Sequence, residues 1–145
     1  MMNNKKKFMQ LAINNSKLSC DPNTKVGCVI IKDNVILSNG YNTLPTGLNI
    51  NNYPLDTREG AFLETKYPYI LHSEAKAIIE AKCDLNNSEM YVTLFPCNEC
   101  AKLIIQAGIK KIYYLEDKYN GTDINIASKK MLDEAKISYE LLEMD

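Results

Sequence analysis

Two short segments, His72-Ser73-Glu74 and Pro96-Cys97-Asn98-Glu99-Cys100, constrain this chain more than any other feature, because they supply three side chains suited to zinc and a carboxylate beside them. His72 is the only histidine in the sequence. A structural zinc is usually closed by four protein ligands, whereas a hydrolytic one keeps a position open for water, so three ligands with a spare carboxylate point to a catalytic metal. For these groups to meet, the start of one helix must lie beside the first turn of another, above one end of a sheet. The spacing of Cys97 and Cys100 puts both sulfurs on one helix face. Unpaired N–H groups and the positive dipole ends of two helix starts favour thiolates there.

Each segment alone has a plainer reading. A Cys-x-x-Cys is also found in zinc knuckles and redox pairs, and a lone histidine is more often held by a hydrogen bond than by a metal. A knuckle needs a second ligand pair, and the sequence offers no other Cys-x-x-Cys and no second histidine. A thioredoxin-like site leaves His72, Glu74 and Pro96 without a role. The order His-x-Glu followed by Pro-Cys-x-x-Cys is the signature of zinc-dependent nucleobase deaminases. In such a site Zn²⁺ on His72, Cys97 and Cys100 lowers the pKa of a bound water towards neutrality, and Glu74 moves the protons. Glu99, between the two cysteines, points sideways and reads with Asn98 as a polar first turn.

A chain of 145 residues fits one domain, 1–145, able to bury about 70% of its unfolded surface. Apolar residues at 46% and charged ones at 24% exclude a disordered chain and a coiled coil. The formal charge of -1 carries no footprint for a long polyanion, so a small nucleotide is expected rather than nucleic acid. Lys5-Lys6-Lys7 reads as a solvated helix start. No stretch of eighteen apolar residues exists, and Met1-Met2-Asn3-Asn4-Lys5 lacks the apolar segment of a secretory signal, so a cytoplasmic protein without a membrane partner is expected. Of the five cysteines, Cys20, Cys28 and Cys83 show no disulfide spacing and read as reduced thiols, Cys28 in the core and the other two near element ends.

The apolar pattern predicts a helix over Lys5 to Lys17, with Phe8, Leu11, Ala12 and Asn15 at helical spacing, ended by Asp21-Pro22-Asn23. Val26 to Ile31 and Val35 to Ser38 read as a hairpin. Gly40 to Leu71 is a long irregular stretch, and loops of this length in a compact domain are usually functional or disordered. A second helix runs from Ser73 to about Lys82, with Ala75, Ile78, Ile79 and Ala81 facing a sheet. Met90 to Leu94 is a strand, Pro96 launches a third helix stopped at Gly108, and Lys111 to Leu115 is another strand. Ile124 to Lys136 reads as a helix and Ile137 to Leu141 as a half-buried strand. A hairpin followed by strand and helix alternation predicts an α/β fold, a three-layer α/β/α sandwich on a mixed five-stranded sheet.

With these residues in view, the chain resembles the deoxycytidylate deaminases of the cytidine deaminase-like superfamily over nearly its whole length. Asp21-Pro22-Asn23-Thr24-Lys25-Val26-Gly27, Gly40-Tyr41-Asn42 with Pro45 and Gly47, Leu63 to Tyr69, the run from Leu94 to Lys110, and Asp117-Lys118-Tyr119 carry the likeness. It implies hydrolysis of dCMP to dUMP, feeding thymidylate synthesis. It also implies that Asn42 holds the deoxyribose or base, that the Ser73 backbone meets the base carbonyl, and that Pro96 and Tyr119 lie against the nucleotide while Lys118 assists its phosphate. Members of the family are commonly hexameric, and dCTP with Mg²⁺ and dTTP often act as effectors. Two departures stand out: the loop after Asn42 reads Thr43-Leu44-Pro45-Thr46-Gly47-Leu48 where the family usually has glycine next, and Lys76 occupies a position where it nearly always has asparagine. Lys76 lies one turn beyond His72, placed for an extra phosphate or effector, for a pair with Glu80, or for a subunit contact. A second, histidine-containing zinc site seen in some members cannot be built without another histidine.

Other readings share the motif. They are a deaminase of free cytidine, of dCTP alongside dCMP, or of adenosine in tRNA, the last needing a basic surface. A zinc- and nucleotide-binding regulator without turnover is a further one, against which Glu74 argues, as is a zinc-stabilised interaction module that binds no nucleotide.

Overall fold

The computed structural model describes residues 3–144; Met1, Met2 and Asp145, at the two ends of the expected 1–145 domain, lie outside the described residues. The backbone follows the order α1 (Asn4–Ser16), β1 (Gly27–Lys32), β2 (Val35–Tyr41), α2 (Ser73–Ala81), β3 (Glu89–Leu94), α3 (Asn98–Ala107), β4 (Lys111–Glu116), α4 (Asp123–Glu134) and β5 (Ser138–Leu141). The sheet has five strands in the order β2-β1-β3-β4-β5. Both β2 and β3 run antiparallel to β1, whereas β3, β4 and β5 run parallel. Antiparallel pairs close with a tight turn; here Asp33 and Asn34, both at positive φ, make the two-residue turn of the hairpin. Parallel pairs need a crossover, and α3 and α4 supply the two.

Alternation along the strands divides the core in two. Cys28, Ile30, Met90, Val92 and Ile112 face α2, α3 and α4, whereas Val29, Ile31, Tyr91 and Tyr113 face α1 through Phe8, Met9 and Ala12. The second layer is aromatic: Tyr91 stacks on Tyr113 with ring centres 4.6 Å apart, and Phe8 tilts against Tyr91 at 5.5 Å. Burial on both faces explains why β1 reads as a continuous apolar run rather than an alternating one. The result is the expected three-layer α/β/α sandwich.

Several details depart from the sequence expectations. In α1 the inward face includes Met9, fully buried; the helix ends at Ser16 with Lys17 as its cap, as expected, and turns carry the chain on to Asp21. Asn15, on the helical spacing of the apolar face, meets the sheet through hydrogen bonds, to the Cys28 carbonyl and the Asn39 side chain. In α2 the buried residues are Ser73, Glu74, Ala75 and Ala77, and Ile79 is 65% exposed. Turning Glu74 inward fixes the rotation of the helix: positions 77, 78 and 81 follow it onto the core and 79 is left outside. In β5 the alternation breaks at Leu141, which is half exposed, and Leu142 is buried instead. Residues 42–72 contain two 3-10 turns, Ile50–Asn52 and Phe62–Glu64, and the loop is tied at its ends by a bridge between Thr43 and Leu71.

Candidate active site

His72 is the N-cap residue of α2 and Cys97 that of α3. Both helices rise from the same end of the sheet, so their starts converge. Gly40 on β2 allows this approach, because a Cβ there would lie 2.1 Å from the Ser73 carbonyl oxygen and 2.9 Å from the Ala77 Cβ. At the far end of α3, Gly108 takes φ 85° and closes the helix, as its sequence position predicts.

His72 Nδ1 lies 3.3 Å from Cys100 Sγ and 3.5 Å from Cys97 Sγ. All three donor atoms fall within 4.8 Å of one another. A tetrahedral zinc with ordinary Zn–S and Zn–N bonds needs sulfur and nitrogen about 3.6 Å apart, so the donor set fits zinc in both chemistry and spacing. Cys100 is buried, Cys97 half-buried and His72 open to solvent, so the triangle faces outward on one side. The Cys97 thiol is pushed down from its ordinary range by the hydrogen bond with Cys100, helped by His72 and the Cys100 backbone N–H against the effect of burial. Cys100 shifts the opposite way because the neighbouring Cys97 sulfur and burial both hold its proton. The two sulfurs thus share a proton between them, and a bound cation would displace it to leave two thiolates.

Glu74 is 4% exposed and accepts a 2.5 Å hydrogen bond from Ser73 Oγ. Burial pushes its carboxyl above the usual range, opposed by His72 and by the Ser73 hydroxyl. Glu99 has none of these features: it faces solvent and pairs with Lys102 at 3.0 Å.

A cavity of about 570 Å³ opens over this cluster, within the range of small-molecule sites. Its lining includes His72, Ser73, Glu74 and Cys97, and four more expected residues have a place near or in it. Asn42 lines it and is buried, its Oδ1 accepting from the Val26 N–H at 2.8 Å and its Nδ2 donating to the Thr24 carbonyl at 2.7 Å. Pro96 lines it, and its carbonyl accepts from Ser128 Oγ. Tyr119 lines it and is half exposed, whereas Lys118 is not among the lining residues and lies with Nζ 5.3 Å from the centre of the Tyr119 ring. Lys76 is also outside the lining: its ammonium is 2.5 Å from Glu80 and 4.9 Å from the centre of the Tyr41 ring, which is the i, i+4 pairing of the plainer reading.

The wall also contains residues to which sequence reasoning gave no role: Asp21, Thr24, Arg58, Lys66, Phe95 and Asn125. Asp21 and Lys66 form an ion pair at 2.5 Å with both side chains nearly fully buried. Burial raises the Asp21 carboxyl, but the Lys66 hydrogen bond and the N–H groups of Asn23 and Thr24 outweigh it and hold the carboxyl below its usual range. These two residues stand 45 positions apart in sequence, so no local pattern joins them. Arg58 carried one available signal, being the only arginine in the chain.

Residues 2–116 match the model of the cytidine and deoxycytidylate deaminase zinc-binding region. The deoxycytidylate deaminase of Homo sapiens is 41% identical over 134 residues, covering 91% of this chain and 75% of that protein. A probable deoxycytidylate deaminase of Caenorhabditis elegans is 44% identical over 141 residues, covering 95% and 69%. The crystal structure of the dCMP deaminase from cyanophage S-TIM5 in complex with dCMP and dUMP superposes with a TM-score of 0.77 at 27% identity, covering 98% of this chain and all of that one. Fold and donor triangle define a zinc-dependent deaminase, and the chain belongs to the cytidine and deoxycytidylate deaminase family.

Proposed function

We propose that the protein hydrolyses dCMP to dUMP and ammonia, with His72, Cys97 and Cys100 holding zinc and Glu74 carrying the protons. The observation that supports this most is the buried Glu74 beside a zinc-fitted donor triangle, at the base of a nucleotide-sized cavity, in a chain more than 40% identical to deoxycytidylate deaminases. Zinc, when bound, acidifies a water at its open position. Glu74 would take a proton from the attacking water as the water oxygen adds to C4 of the cytosine, and would give it to N3. It then moves the remaining hydroxyl proton to the amino group, the C4–N4 bond breaks, and ammonia leaves with C4 as a carbonyl. Ser73 Oγ holds the Glu74 carboxylate in place between these transfers.

In this reading Asn42 shapes the sugar side of the cavity. Its amide ties the backbone before β1 to the end of β2 and keeps one N–H and one lone pair for substrate. Pro96 and Tyr119 line the space beside it, and the N-terminal N–H groups of α2, left without a side-chain cap, face the base carbonyl. The reduced thiols suit the cytoplasm. Among the described residues no helix is long and apolar enough to cross a membrane. The homo-oligomer and the Mg²⁺–triphosphate effector implied by the family belong to the same reading.

The test is to supply zinc-replete protein with dCMP, dCTP, deoxycytidine and CMP separately and to follow ammonia and product. Turnover of dCMP is expected, with Glu74→Gln keeping one zinc per chain and losing about 10²- to 10⁴-fold in rate. No turnover of any of the four, or full activity in Glu74→Gln, overturns it.

A further inference from the structure

Resting on the reading of the site as one for a cytidine nucleotide, we infer that Arg58 is the residue that selects a 5′-phosphate over a free nucleoside. The argument begins with the charges of the cavity wall. Besides His72, the lining residues that carry positive charge are Lys66 and Arg58. Lys66 is buried and its ammonium is neutralised by Asp21. Lys118, the expected phosphate partner, is outside the lining and rests against Tyr119. Arg58 alone brings an uncompensated cation: among the described residues no hydrogen bond, ion pair or ring contact engages its guanidinium. A dianionic phosphate at the end of a nucleotide needs such a partner, and a guanidinium offers paired donors that fit it.

Position matters as much as charge. Arg58 lies in the long irregular segment, where a side chain is useful only if the backbone beneath it is fixed. Two hydrogen bonds and a buried neighbour fix it. The Lys66 N–H donates to the Thr57 carbonyl at 3.0 Å, Asn23 Nδ2 donates to the Asp56 carbonyl at 3.2 Å, and Leu55 is buried. Lys66 therefore acts twice, its ammonium anchored to Asp21 and its backbone holding the residue before Arg58. Arg58 is exposed and lines the same cavity as Glu74, so a nucleotide with its base on Glu74 can present its charged tail to the guanidinium.

Binding of product separates this inference from the question of turnover. Calorimetric titration of dUMP and of deoxyuridine is carried out on zinc-replete wild type, Arg58→Gln, Arg58→Lys and Lys118→Gln. Arg58→Gln is expected to weaken dUMP about tenfold while deoxyuridine binding holds, with Arg58→Lys between, and KM for dCMP rises with kcat nearly constant. Unchanged dUMP affinity in Arg58→Gln overturns the inference. So does an equal loss for deoxyuridine, which marks a wall defect, or a loss that appears in Lys118→Gln instead. A wild type that hydrolyses no cytidine nucleotide yet prefers dUMP through Arg58 defeats the proposed reaction and leaves the phosphate assignment standing.

Discussion

Removing the ammonium of Lys66 with Lys66→Met should destabilise the protein far more than any surface ion pair would. The Asp21–Lys66 pair spans 2.5 Å, with side-chain exposures of 2% and 5%, so neither charge can turn to water when the other is lost. Breaking a buried pair from one side costs about 3–5 kcal/mol. The lower end applies here, because the Asp21 carboxylate keeps the N–H groups of Asn23 and Thr24. About 3 kcal/mol corresponds to roughly 10 °C in Tm for a domain of this size. The assay is urea unfolding followed by circular dichroism at fixed free zinc, since bound metal adds its own stability. Asp21→Asn with Lys66→Met should recover about 1.5 kcal/mol or more, because an amide oxygen still accepts from both N–H groups while the stranded charge is gone. The pH dependence has a definite sign. In the wild type the Asp21 carboxyl is held below its ordinary 3.8, so its contribution is complete above that value and is lost as pH falls through the lower folded pKa. Without Lys66, burial dominates and raises the carboxyl, so the penalty is greatest near neutrality and shrinks on acidification. A Lys66→Met cost below about 1 kcal/mol, or a double variant as unstable as the sum of the singles, refutes the reasoning.

Two further changes probe the metal end of the site. Cys100→Ala removes the buried corner of the donor triangle, so stoichiometric zinc and turnover should both disappear, and chelator should no longer lower Tm; zinc retained at one per chain by atomic emission contradicts the ligand set. Gly40→Ala places a methyl group 2.1 Å from the Ser73 carbonyl and should cost about 3 kcal/mol or more while loosening zinc, because Ser73 sits between His72 and Glu74; a variant with wild-type Tm and metal affinity shows that β2 and α2 are free to separate.

What was legible in the sequence divides along a physical line. The donor triangle was legible because each half is local: two ligands three residues apart on one helix start, and a histidine two residues from its carboxylate on another, with Pro96 and Gly108 marking α3. The sheet was legible because burial on both faces gives β1 and β3 their apolar runs. Rotation of α2 was not, since the 3.6-residue pattern of Ala75, Ile78, Ile79 and Ala81 suits several inward faces. The choice among them is made by Glu74 and by Gly40 on β2, directly beneath α2, neither of which an apolar count weighs.

The cavity wall was less legible still, because its parts are joined only by the fold. Asp21 and Lys66 lie in segments whose motifs were visible, yet their pairing is a long-range event, and it joins the Thr43–Leu71 bridge in tying down the irregular segment from 42 to 72. A loop without regular hydrogen bonding holds a side chain in place only where tertiary contacts pin it. Two hydrogen bonds and the buried Leu55 hold the chain beside Arg58, and among the described residues no contact engages its guanidinium, so the stability of the loop and the charge available to a ligand trace to two residues of one segment with opposite duties. Lys66 gives its charge to the fold, and Arg58 keeps its own for the cavity.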